Sequence, residues 1–198
     1  KRLLMVRGHW QSDVYVGELE NNGARLNGAR RLTRDDRTDW PGTWTRDNLA
    51  VAFHSDRNGS FDIFKQGIQD RSAELVVGGP EEQRDPQLSP DGSWILYLAW
   101  THPPGGAPST GRLMRIPLSG GAPQAVLEVS ERTRTGGRER ETLIERGYPA
   151  FRCAPPAGKL CVLAEVVQDQ VVFSAFDPVE GKKGEVARVD RHPCSERC

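Results

Sequence analysis

The chain has 198 residues, with 27 Lys and Arg against 27 Asp and Glu, so its formal net charge is zero. That balance argues against a nucleic-acid partner or an anionic-membrane surface, which would carry a basic excess. The longest apolar run, Trp94–Trp100, has seven residues. A bilayer-spanning helix needs about 20, so no direct membrane insertion is expected.

Gly and Pro number 21 and 14, yet 36% of residues are apolar. A turn-rich chain of this kind can still build a core. No initiator Met is present, and Lys1-Arg2 precede only the four apolar residues Leu3 to Val6. The chain therefore reads as processed or shortened, without a visible secretory leader.

In chain order, the predicted elements fall into repeating units. A first, partial unit over 1–33 enters at what reads as its second strand, Leu3–Val6. Asp13–Leu19 and a closing run, Arg31–Thr33, follow. The second unit, 34–79, has an apolar anchor at Trp44, a strand ending at Phe53, then Asp62–Ile68 and Ala73–Val77. The third, 80–128, repeats the layout with Leu88, a strand through Tyr97, Arg112–Leu118 and Gln124–Leu127. The fourth, 146–190, has Phe151, a strand through Leu163, Gln170–Phe176 and Glu185–Val189. Trp44, Leu88 and Phe151 share one repeat slot and read as blade core. Two residues before the anchor stand Gly42, Pro86 and Pro149 in turn.

Four short strands per unit, at a period of about 45 to 60 residues, is the pattern of a β-propeller blade. The turns agree. Ser89-Pro-Asp-Gly92 is a tight turn in which Gly supplies a positive φ, and Asp56-Arg-Asn-Gly59 ends in the Asn-Gly of a hairpin. Thr101–Thr110 widens a hairpin, 130–145 is a charged insertion read as a solvated loop, and 191–198 is a tail with two cysteines. The expectation is one all-β domain over 1–198, with three full blades and one partial blade, part of a larger propeller.

The run Phe53-His-Ser-Asp-Arg-Asn-Gly-Ser-Phe-Asp-Ile-Phe64, with Pro86-Gln-Leu-Ser-Pro-Asp-Gly-Ser-Trp-Ile95, resembles the WD40-like repeats of bacterial TolB-type propellers. The last unit departs from that pattern: Arg152-Cys153 replaces Ser-Pro, and Val167-Gln-Asp-Gln170 replaces the Ser-Asp-Arg-Asn-Gly turn. This form resembles the propellers appended to some bacterial winged-helix regulators and serine/threonine kinases. The resemblance implies a sensing or partner-binding module and, from TolB itself, a periplasmic setting. It carries over no catalytic residue.

The residues point the same way. No G-x-S-x-G elbow, H-E-x-x-H pair or phosphate loop occurs. Asp56-x-Asn58-x-Ser60-x-Asp62 spaces oxygens as a calcium loop does, but lacks the Gly and the bidentate Glu at the required positions, and so reads as a hairpin turn. His9, His54, His102 and His192 have no spacing that makes them converge on a metal. No catalytic residue, metal or cofactor is expected. The candidate ligand or partner contacts are Trp40, which breaks the strand alternation beside Pro41, with His54, Arg57 and His102. The expected function is a non-enzymatic binding or sensor module of a larger bacterial signalling or envelope protein. The alternative is the propeller of a prolyl-oligopeptidase-like peptidase, gating a separate catalytic domain.

Cys153, Cys161, Cys194 and Cys198 lie in the last quarter of the chain, which fits an oxidising, extracytoplasmic compartment. With a turn centred near Ala157, Cys153 and Cys161 fall opposite each other on adjacent strands, within disulfide reach. Whether Cys194 and Cys198 pair is left open. Four blades would strain to close a ring, so an open half-ring is expected, with apolar faces on the blades holding Val14–Leu19 and Val171–Phe176. Further blades or a second copy of the chain would cover those faces.

Overall fold

The computed structural model describes residues 2–8, 11–103, 109–130, 149–155, 158–168 and 170–190. Over these residues the chain is all-β, in four separate antiparallel sheets. The first has three strands: β1 (Arg2–Gly8), β2 (Ser12–Glu20) and β3 (Arg25–Arg31). The second contains β4 (Asp39–Trp44), β5 (Ala50–Ser55), β6 (Asp62–Gly67) and β7 (Glu74–Val77). The third contains β8 (Glu82–Leu88), β9 (Trp94–Thr101), β10 (Thr110–Pro117) and β11 (Gln124–Ser130). The fourth contains β12 (Ala150–Cys153), β13 (Cys161–Val167), β14 (Gln170–Asp177) and β15 (Gly181–Asp190). Each sheet runs as a simple meander in sequence order, which is the blade architecture expected from the repeats.

Blades stack face to face, and each junction has its own core. Val14, Val16 and Leu32 meet Val51, Phe53 and Phe64 between the first and second sheets. Ile63 and Val77 meet Ile95, Tyr97 and Met114 between the second and third. Leu96, Leu98 and Trp100 meet Phe151, Leu163 and Phe176 between the third and fourth. The apolar run Trp94–Trp100 has a direct cause. Strand β9 sits mid-sheet, so Ile95, Tyr97 and Ala99 face one neighbouring blade while Leu96, Leu98 and Trp100 face the other.

The anchor slot is less uniform than the repeat implies. Phe151 is fully buried, whereas Trp44 packs half-buried against the first junction and Leu88 is half-buried. The strand closing the first sheet is also displaced from Arg31–Thr33. The turn at Asn21–Gly23 is tight enough for β3 to start at Arg25. Leu32 and Thr33 instead lead into the next blade and are buried. The Leu32 N–H donates to the Val14 carbonyl at 2.7 Å, and the Thr33 hydroxyl oxygen accepts from the Val14 N–H at 3.0 Å.

Strands β4, β8 and β12 are the free edges on one side of their sheets, and β8 packs against both of the others. They are the innermost strands and face the axis about which the blades are arranged. Among the described residues, the first and last sheets share no strand pairing.

Candidate functional site: an axial rim on three inner strands

The register of the second sheet places Trp40 of β4 directly opposite His54 of β5. Directly opposed side chains share a face, so both lie on the side turned toward the third blade. Trp40 is 43% exposed, while His54, one strand further in, is 6% exposed. The His54 Nδ1 accepts a hydrogen bond from the Asp85 N–H at 3.4 Å. Its ring meets Phe61 edge-on, with centroids 5.3 Å apart. Burial drives the His54 pKa down to about 3, and the Arg84 charge pushes in the same direction. The ring is therefore neutral at physiological pH and can accept that hydrogen bond.

Asp85 lies in the irregularity that interrupts the pairing of β8 with β9 between Arg84 and Gln87. Its φ is +54°, a left-handed conformation uncommon for a residue with a Cβ. Burial raises its carboxyl pKa, against the opposing charges of Arg84 and Arg152. Arg84 lies 4.0 Å above the Phe61 ring and pairs with Glu82 at 2.9 Å. His102, at the end of β9, reaches the same Glu82 carboxylate through Nε2 at 3.3 Å, and its Nδ1 lies 2.9 Å from the Ser109 hydroxyl. Trp40, His54 and His102 are thus connected through Phe61, Arg84 and Glu82, and Arg152 of β12 joins the group through Asp85.

Arg57 is not part of this rim. It is held inside the second blade, where Nη2 meets Asp39 at 3.0 Å and Asp35 at 2.9 Å, and Nε donates to the Ser55 hydroxyl at 3.0 Å. Its guanidinium lies 4.4 Å above Phe64. Asp39 is fully buried; burial raises its pKa, and hydrogen bonds from Ser55, Thr33 and Arg57 work against that rise. The oxygen-rich turn is self-contained: the Thr38 N–H donates to Asp56 at 2.9 Å, and the Asn58 amide donates to Asp62 at 2.8 Å. Among the described residues, no three His, Cys, Asp or Glu side chains are grouped to hold a metal.

Cys153 and Cys161 are register partners on β12 and β13, and their sulfurs are bonded, with Cα atoms 3.9 Å apart. The disulfide fixes the four-residue strand that carries Arg152. Cys194, Cys198, His9 and His192 lie outside the described residues.

The sequence reading missed Phe61, Arg84, Asp85 and Arg152. Asp85 carries the least signal, because a residue preceding proline is expected to be extended. The alternation of β8 gives no sign of the break there.

No family model matches the sequence, and no curated protein matches it. The comparison of structures is informative. TolB from Acinetobacter baumannii matches with a TM-score of 0.64 at 18% identity, covering 96% of this chain and 42% of that one. The fold is a TolB-type β-propeller. A putative TolB from Agrobacterium tumefaciens also matches with a TM-score of 0.64, at 16% identity over 96% of this chain and 63% of that one. A puromycin-hydrolyzing peptidase from Mycobacterium tuberculosis matches at 0.60 and 16%, covering 92% of this chain and 26% of that one. The chain spans less than two thirds of the length of each of these structures.

Proposed function

We propose that the chain is a non-enzymatic binding or sensor module of a larger bacterial envelope or signalling protein, working outside the cytoplasm. The observation that carries this reading is the axial rim. Trp40, Asp85 and Arg152 come from three consecutive inner strands, and a large aromatic side chain is left 43% exposed beside a buried, neutral histidine. Exposed Trp and Arg side chains on a rigid frame are the usual anchors of a protein contact. The frame is rigid because each blade is clamped to its neighbours by an apolar core. The Cys153–Cys161 disulfide and the TolB-type fold support the extracytoplasmic setting.

Site-specific photo-crosslinking tests the reading. A photoreactive residue at position 40 should give a discrete product in extracts of the source cells, competed away by unmodified chain. The same group at Leu75, which is exposed on an outer strand, should not. Equal labelling from both positions, or none from position 40, would contradict it.

The match to a peptidase that contains a propeller supports a second reading, a propeller that gates a catalytic partner. An α/β-hydrolase domain encoded in the same polypeptide would favour that reading over the first.

A further inference from the structure

The two end blades each leave one face without a neighbour among the described residues. In the first sheet, Val14 and Val16 point into the junction with the second blade. Alternation turns Tyr15 and Leu19 the other way. Register adds Met5 opposite Tyr15, Leu3 opposite Gly17 and Leu26 opposite Leu19. In the fourth sheet, Phe151, Leu163 and Phe176 point into the junction with the third blade. The opposite face carries Val162, Val166, Val171, Phe173 and Val189, with Val171 paired to Val166 and Val189. Both outward faces are apolar and only partly covered; Leu26, Val162 and Val189 are exposed.

These faces are not two unrelated patches. At every internal junction, the trailing face of one blade meets the leading face of the next. The outward face of the first sheet is a leading face, and that of the fourth is a trailing face. We propose that the occupant of both is a second copy of this chain, placed so that the leading face of each copy meets the trailing face of the other. A two-fold rotation satisfies both contacts at once and leaves no blade face open, which is the closed arrangement that symmetric dimers favour.

The area is sufficient. Strands about 4.8 Å apart, rising about 3.3 Å per residue, give a face of three or four seven-residue strands roughly 300–450 Å². The four faces of the two junctions then bury roughly 1,200–1,800 Å², within the about 1,200–2,000 Å² of stable protein interfaces. The contact would also continue the series of blade junctions already present within each copy.

Light scattering coupled to size exclusion on the whole chain, at micromolar concentration, reads the outcome. The expected mass is twice 22.0 kDa. Tyr15→Asp and Phe173→Asp should each weaken the dimer about tenfold or more, while Leu75→Asp on an outer strand leaves it unchanged. Near-UV circular dichroism checks that each variant retains its packed core. Mixing the two variants should restore a heterodimer, because one of its two junctions then joins two unaltered faces. A monodisperse monomer would assign the faces to further blades and overturn the proposal. So would a dimer broken by only one of the two substitutions, which would mean that like faces pair.

Discussion

Gly42 of β4 faces Pro86 of β8 so closely that a Cβ on residue 42 would stand 2.2 Å from the Pro86 carbonyl oxygen and 2.5 Å from its ring. The same repeat slot thus holds Gly in one blade and Pro in the next, and the two meet where neighbouring inner strands touch. Gly42→Ala should force β4 away from β8. Overpacking of this kind costs about 1–3 kcal/mol. Chemical denaturation would show a lower midpoint with an unchanged slope; an unchanged midpoint would mean that the two strands can separate freely.

His54 makes stability depend on pH in a defined direction. Its folded pKa is about 3, against 6.5 for the free side chain. Between those values the unfolded chain binds more protons than the folded one, so stability rises with pH through this window. Its contribution is complete above pH 6.5 and is lost as pH falls toward 3, at roughly 1.4 kcal/mol per pH unit. Asp39 and Asp85, whose carboxyls are raised by burial, act in the opposite sense, losing stability as pH rises above the carboxylate range. Thermal melts of His54→Gln should show a shallower decline between pH 6.5 and 4 than the parent protein. Parallel curves would refute the buried, neutral histidine.

Arg57 balances a fully buried carboxylate, Asp39, and stacks on Phe64. Arg57→Ala removes one partner of that pair, for which about 3 kcal/mol is the expected scale. Arg57→Lys should recover only part of the loss, because an ammonium lacks the planar fork that reaches Asp35, Asp39 and Ser55 together. Unfolding free energies of the two variants check this. Full rescue by Lys would show that charge alone matters there.

The Cys153–Cys161 bond closes a short loop between β12 and β13. Replacing both cysteines by Ser should lower stability by roughly 2–3 kcal/mol. Mass mapping without reductant, together with denaturation of oxidised and reduced protein, measures this. Two free thiols in protein purified without reductant would sink the assignment.

Much of the fold was legible because blades repeat and β-strands alternate. The positions of β5, β6, β9 and β10 followed from apolar runs bounded by Ser-Pro-Asp-Gly and Asp-Arg-Asn-Gly turns. The opposition of Cys153 and Cys161 followed from the symmetry of a hairpin about its turn. The site was less legible, because it is assembled across blades. Trp40 was visible as a break in alternation, and His54 and His102 as isolated imidazoles. Their connection depends on Arg84 spanning Phe61 and Glu82, and on a left-handed Asp85, neither of which leaves a periodic trace. Arg57 sat in a conspicuous turn, but its partners Asp35 and Asp39 lie some twenty residues earlier, so its internal role could not be read from spacing. Val14 and Val16 were assigned to an open face; the register instead turns them inward and leaves Tyr15 and Leu19 outside.

The central claim is that this propeller binds a partner through its axial rim, with Trp40 as the anchor. The most direct measurement is the affinity of the partner captured at position 40 for Trp40→Ala and for Leu75→Ala, each with its thermal midpoint. The account predicts that Trp40→Ala loses roughly 2 kcal/mol or more of binding while its midpoint stays within the range of ordinary surface substitutions, and that Leu75→Ala binds as the parent does. Equal affinity of the two variants would contradict it.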